Sequence, residues 1–384
     1  VLTRPGALSV LGSVAALAAG RAFGVAELFV LGATGLVLVA AAVAWVRRPA
    51  PTVVLERRVH PPRPAAGSTA RVEVDVANRG GRATPVLEVV DAVEGTTGAR
   101  LVVGPIPPQQ RHLLGYRLPT ARRGRLAIGP LHAQLVDPFG LARRRLPGPG
   151  VVHVTVLPAV APLPLGPVGG GDQEPMAGLS TSAMATTGIE DLATLRPYVV
   201  GDDLRRVHWP SSAHADDLLV RRDEERWQGH LTVVLDQRPS SMSPDGFEEA
   251  VSAAASLVHA AAEAGDRIRL VRTDGSDSAM VDAHRGEPAL LEDLALVGQV
   301  EAAAAPSVTA AGDADRRSAL VVLTGTDALP LAGIERFEPV VIVRFGAVAG
   351  ARPAEIAVAP GERFAPAWAA WHRGRRPDGV GAPR

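Results

Sequence analysis

Residues 231–265, LTVVLDQRPSSMSPDGFEEAVSAAASLVHAAAEAG, read as a strand, a polar loop and a helix in immediate succession. The apolar run 231–235, closed by Asp236, has the composition of a parallel strand buried on both faces. Ser243-Pro244 supplies an N-cap followed by proline at the first helical position. Phe247, Val251, Ala254, Val258 and Ala261 then form one apolar stripe, and Gly265 ends it. Further apolar runs at 268–271, 320–323 and 340–343 alternate with Ala/Leu-rich helical stretches such as 287–297. The alternation predicts an open α/β sheet with right-handed crossovers. Ligands of such sheets gather at the carboxyl ends of strands, which makes Asp236 a candidate site residue.

Working towards the N-terminus, residues 53–157 carry short β-rich runs at 70–77, 86–90, 112–118, 131–136 and 151–157. Arg71 to Val76 alternates polar and apolar residues, the mark of a half-buried strand, and Asn78-Arg79-Gly80-Gly81 supplies a turn. Asp137-Pro138-Phe139-Gly140 reads as another turn before an exposed strand. Strands at near-regular spacing predict an antiparallel sandwich or barrel, without a visible catalytic set. Residues 158–188, rich in Pro and Gly and then in Ser and Thr, read as a linker.

Two uncharged apolar runs precede these regions. The second, 28–46, spans about 28 Å as a helix, close to the ~30 Å hydrocarbon core of a bilayer. The first, 5–20, extends through 22–26 if Arg21 snorkels, giving a tight transmembrane hairpin. A rival reading makes it a signal peptide, with Arg4 as the charged start and Ala16-Leu17-Ala18 as the cleavage signal. Arg47, Arg48, Arg57 and Arg58 follow the second run, and the positive-inside bias places the chain after it in the cytoplasm.

Composition excludes several chemistries. The 384 residues include 40 basic side chains, all Arg, and no Cys. Without Lys there is no P-loop of the usual form, no Schiff base and no serine–lysine acyl transfer. Without Cys there is no thiol nucleophile, cysteine zinc site or disulfide. Net charge is zero, and the arginine clusters at 122–125 and 143–145 lack interleaved aromatics, so they read as solvated loop charges and no nucleic-acid partner is expected.

The densest chemistry lies in residues 189–222, IEDLATLRPYVVGDDLRRVHWPSSAHADDLLVRR. Arg196, Tyr198, Gly201, Asp202, Asp203, Arg205, His208, Trp209, Ser212 and Arg221 stand in a run that resembles the signature of the domain-of-unknown-function-58 family: Arg-x-Tyr-x-x-Gly-Asp, then Arg, His-Trp and a Leu-x-Val-Arg strand. The resemblance implies an N-terminal membrane hairpin, a β-rich middle and a C-terminal part similar to the von Willebrand factor A fold. It also implies a bacterial-envelope accessory protein working beside a MoxR-type AAA+ ATPase. The expected architecture is therefore multidomain: a transmembrane helical hairpin (1–50), a β-sandwich-like domain (51–160), a linker (161–188), the signature with an α/β von Willebrand factor A-like domain (189–345), and a partly disordered C-terminal extension (346–384).

Within that resemblance, Asp236 to Met242 is similar to the metal-ion-dependent adhesion site, Asp-x-Ser-x-Ser. Asp236 and Ser240 align with the first and last positions, but Arg238 stands where the middle Ser belongs. A guanidinium offers no lone pair and adds a repelling charge, so a degenerate site with no Mg²⁺ cofactor is expected. Thr324 and Asp327, after a later strand, are further oxygen donors.

The signature admits two readings. Asp202, Asp203, His208, His214, Asp216 and Asp217 hold enough carboxylates and imidazoles for a metal site or a general acid–base pair, and a metal-dependent hydrolase would use Asp202, Asp203, His208 and Asp236. Against this, His208 and His214 are six apart, which fixes no common face, and no established catalytic motif accompanies them. In the other reading Gly201-Asp202 forms a turn, Asp203 caps a helix beginning at Leu204, the arginines bridge the carboxylates, and Tyr198 and Trp209 anchor the unit. Such an arginine-rich, aromatic-anchored element suits protein recognition. The expected function is a membrane-anchored, non-enzymatic interaction factor; a passive envelope scaffold is the third possibility.

Overall fold

The computed structural model describes residues 2–165, 195–197, 212, 218–221, 229–301, 318–327, 329–346 and 355–374. They divide into two compact units, Val1–Val160 with Leu291–Val297 and Ala161–Leu290 with Gly298–Arg384.

The first unit opens with helices α1 (Arg4–Phe23) and α2 (Ala26–Arg47), joined through Gly24 in the left-handed conformation. Both are long and apolar enough to cross a membrane. Their outward faces expose Leu8, Leu11, Val14, Phe29, Val30, Leu31 and Val37, whereas Ser13, Gly20, Gly32 and Val39 are buried. The contact runs through small residues. A Cβ on Gly32 would stand 2.6 Å from Ser13 O, and one on Gly20 would stand 2.7 Å from Phe29 N. Close backbone approach of this kind is how helices associate where apolar burial offers no gain over lipid.

The rest of the unit is two antiparallel sheets packed face to face. One has the order β1 (Val53–His60), β2 (Ala70–Asn78), β5 (Arg111–Leu118). The other has the order β4 (Ala99–Val103), β3 (Leu87–Val93), β6 (Gly124–Val136), β7 (Arg143–Pro147), with β8 (Val152–Val156) also paired to β6. The alternation along β2 buries Ala70, Val72, Val74 and Val76 against Leu87, Val89, Ile128, Leu131 and Ala133. Val39, Ala42 and Val46 of α2 join the same core, so helix and sandwich are continuous. Arg143 to Arg145, read as loop charges in one view and as an exposed strand in the other, form the edge strand β7. β4 carried no signal because its five residues, Ala99 to Val103, neither alternate polar with apolar side chains nor form a long apolar run.

A polar clamp crosses this core. Arg57 on β1 meets Asp91 on β3 at 2.7 Å, Tyr116 on β5 donates to the other Asp91 oxygen at 2.7 Å, and Arg57 also donates to Gly150 O at 2.8 Å. Every partner is satisfied, which is the condition for burying such charges. Burial, and then the adjacent Asp91 carboxylate, push the Tyr116 phenol far above its ordinary range.

The second unit is a six-stranded sheet. Its order is β13 (Val281–Asp282), β12 (Arg267–Arg272), β11 (His230–Leu235), β14 (Ala319–Thr324), β15 (Val340–Phe345), β16 (Glu355–Val358). All neighbours are parallel except β13 against β12. β11 and β14 lie at the centre and are apolar on both faces, as a sheet covered on both sides requires. Helix α3 (Pro244–Ala264) starts as the sequence dictates, with Ser243 Oγ accepting from Gly246 N at 3.2 Å, and ends on Gly265 at φ 74°. Its buried surface is broader than one stripe, including Ala253, Leu257 and Ala260. Helix α4 (Ala283–Leu296) follows β13, and its residues up to Leu290 belong to this unit.

The C-terminal boundary differs from the expectation. The stretch assigned to an extension from 346 onward contributes β16 and helix α5 (Phe364–Gly374). Phe364 and Trp368 recur one turn apart and are buried, ring to ring at 5.4 Å, with Phe345 beyond them at 6.4 Å. Glu249 on α3 accepts from Phe364 N at 2.7 Å, capping α5 from a neighbouring helix. Residues 161–165, expected to open the linker, also belong to this unit: Ala161 N donates to Ser256 Oγ at 3.0 Å and Trp368 Nε1 to Pro164 O at 3.0 Å. Residues 166–188 lie outside the described residues.

Candidate functional site

Numbered from β11, the sheet order reads 3-2-1-4-5-6, so the strand direction of winding reverses between β11 and β14. The crevice beyond the carboxyl ends of these two strands is where doubly wound sheets bind ligands. Asp236 follows β11 and Thr324 closes β14, which puts both at that point.

Asp236 is 0% exposed. Its carboxylate accepts Arg238 Nε at 2.9 and 3.2 Å, Arg238 Nη2 at 2.8 Å, the Arg238 backbone N–H at 3.0 Å and Thr324 Oγ1 at 2.8 Å. Arg238 Nη2 also reaches the Asp327 carbonyl at 3.5 Å. Burial pushes the Asp236 carboxyl up, but the Arg238 side chain and backbone, with Thr324 and Ser241, outweigh it and hold the group below the ordinary carboxylate range. The same pairing raises Arg238, which therefore stays charged.

The surrounding loop is fixed from several strands. Gln237 N donates to Thr273 Oγ1 at 2.9 Å, and its side chain donates to Gly298 O at 2.9 Å while accepting from Asp274 N at 3.1 Å. Ser241 Oγ accepts from Gly325 N at 3.0 Å and lies 3.4 Å from Thr324 Oγ1. Gly325 is required by this approach, because a Cβ there would collide with the Ser241 carbonyl.

Ser240, aligned by counting along the chain, is exposed in the turn; Ser241 faces the buried cluster instead. The reason is the turn in which Ser241 N donates to Arg238 O at 3.1 Å, which breaks the alternation that counting assumes. Neighbouring serines gave no signal to separate them.

The residues present do not fit a Mg²⁺ ion. Such an ion needs about six oxygen ligands with lone pairs directed at it, at about 2.1 Å. Here both carboxylate oxygens of Asp236 are engaged by a guanidinium, and the backbone and side chain of Arg238 fill the approach. Among the described residues no group of three or more His, Cys, Asp or Glu is placed to hold a metal.

Of the signature, Arg196 lies on β9 (Leu195–Pro197) and Arg221 on β10 (Leu219–Arg221). The two strands pair antiparallel, with Arg196 opposite Val220 and Leu195 opposite Arg221, so the ends of the signature meet in a two-stranded ribbon. Ser212 is half-buried. Tyr198, Gly201, Asp202, Asp203, Arg205, His208 and Trp209, with His214, Asp216 and Asp217, lie outside the described residues.

No curated protein matches the chain. Among solved structures, it is similar to the CARDB domain of the PF1109 protein from Pyrococcus furiosus, at 21% identity over 28% of this chain and 91% of that one, TM-score 0.22. It is also similar to the putative ApaA protein from Bordetella pertussis, at 15% identity over 28% and 98%, TM-score 0.18. A β-glucosidase, EmGH1 from Erythrobacter marinus, is similar at 18% identity over 26% and 15%, TM-score 0.17. Scores of this size carry no argument about function. Residues 194–330, from the signature through β14, match the family described as Protein of unknown function DUF58, which supports the family read from the Arg-x-Tyr-x-x-Gly-Asp run.

Proposed function

We propose that this protein is a membrane-anchored, non-enzymatic accessory factor that binds other proteins, with a von Willebrand factor A-like second unit and the bulk of the chain in the cytoplasm. The observation that carries the reading is the Arg238–Asp236 pair. At the position where this type of sheet holds its ligand, the buried carboxylate is already neutralised by the chain's own cation, which argues against metal-assisted hydrolysis and supports a binding role. The strand order with its antiparallel edge strand supports the von Willebrand factor A-like assignment.

The first unit supports this orientation. Thr3 N donates to Leu141 O at 3.0 Å, so the start of α1 and the sandwich stand at the same end of the hairpin. Arg4, Arg47 and Arg48 gather at that end, which by the positive-inside bias supports a cytoplasmic placement. The signature's resemblance names a MoxR-type AAA+ ATPase as the leading partner.

In-cell crosslinking of the full chain, followed by identification of partners, tests the proposal. A AAA+ ATPase or its client should be captured by the unaltered chain and lost with Arg205→Ala. Capture unchanged by Arg205→Ala removes the signature from the interface, and a membrane fraction that yields no protein partner sinks the accessory role.

A further inference from the structure

We infer that the first unit carries a site for the headgroup of an anionic phospholipid, in a cleft at the foot of α2. This inference rests on the membrane-anchored reading. The cleft has a volume of about 780 Å³ and lies between residues 45–52 and the turn at 78–85. Trp45, in the last turn of α2, forms one wall, and an end-of-span tryptophan is the residue type that favours a bilayer interface. Arg48 and Arg82 line the opening, both exposed and neither with a side-chain partner among the described residues. The charge and the placement are complementary to a headgroup phosphate.

The cleft is built rather than incidental. The two amide N–H groups of Asn78, 1% exposed, are shared among Arg82 O at 2.8 Å, Ile106 O at 2.9 Å and Pro107 O at 3.1 Å, and its oxygen accepts from Gly80 N at 2.9 Å. That network holds the 78–85 turn open opposite α2. On the adjoining side Arg144 Nη1 donates to Arg48 O at 3.1 Å, bringing the exposed Arg144 of β7 beside the opening. The neighbouring loop at 137–142 is tied to the start of α1 through Thr3 and carries Phe139, 65% exposed. Guanidinium groups close to a leaflet surface, with an apolar side chain among them, are the chemistry that retains anionic lipids.

The test uses the full chain reconstituted in phosphatidylcholine bilayers, with spin-labelled phosphatidylglycerol or phosphatidylcholine as the probe. The unaltered chain should immobilise phosphatidylglycerol preferentially. Arg48→Ala with Arg82→Ala should lower that preference by roughly five-fold for each arginine removed, whereas Arg48→Lys with Arg82→Lys should keep most of it. Preference that survives the alanine pair overturns the inference. Preference abolished by inorganic phosphate, but not by sodium chloride of equal ionic strength, assigns the cleft to free phosphate and overturns it as well. Release of the chain from native membranes by alkaline carbonate is a separate outcome, refuting the membrane-anchored reading itself.

Discussion

Replacing Arg238 by serine removes the cation from a carboxylate that has no exposed surface. The contacts at 2.9, 3.2 and 2.8 Å disappear, and Asp236 keeps the Thr324 hydroxyl at 2.8 Å and the backbone N–H of position 238 at 3.0 Å. Removing one partner of a buried pair costs about 3–5 kcal/mol. The Arg238 side chain is 20% exposed, so water can reach the vacated space, and about 2–3 kcal/mol is the better figure here. In a unit of this size that corresponds to a fall of about 5–10 °C in Tm. The substitution also places a hydroxyl beside Asp236, Ser241 and Thr324, so the variant should gain affinity for Mg²⁺ or Mn²⁺. An ion at about a hundred times its Kd returns about 2.7 kcal/mol, nearly the whole loss. Thermal melts of the full chain in detergent, with and without the ion, and calorimetric titration measure both effects. Asp236→Ala combined with Arg238→Ala should cost less than Arg238→Ala alone, because no unpaired charge remains. Tight binding of either ion by the unaltered chain, lost on Asp236→Ala, would refute the reasoning, and so would an Arg238→Ser variant that melts with the parent.

Three further outcomes follow from other parts of the molecule. Because the chain has no Cys, single cysteines at Ser68 and Glu301 should resist a membrane-impermeant thiol reagent in intact cells while one at Val25 reacts; the reverse pattern inverts the topology. Gly32→Val should force the hairpin apart at Ser13 and Leu17 at a cost of about 1–3 kcal/mol, read as a lower Tm and faster proteolysis in detergent. The Asp236 carboxyl is held below its unfolded value of about 3.9, so its contribution is full above that pH and is lost as pH falls through the folded value; acid unfolding curves of Asp236→Asn should be flatter than the parent's below about pH 4.

The sequence by itself determined whatever is local. The cap and stop of α3 were legible because Ser243, Pro244 and Gly265 act within one turn of the backbone they satisfy. The strands β2 and β11 were legible because alternation and a continuous apolar run are signatures of one-sided and two-sided burial. Arg238 was legible as an obstacle to a metal because a guanidinium has no lone pair in any fold. Tertiary structure decided the rest. Only the parallel pairing of β11 with β14 brings Thr324 to Asp236, 88 residues away, and only the turn after Arg238 chooses Ser241 over Ser240. The place of β16 and α5 in the second unit depended on Glu249 capping a helix more than a hundred residues later, a contact that no window of neighbouring residues contains. Side-chain chemistry travels with the residue, whereas partners are assigned by sheet order and by turns whose geometry is set at long range.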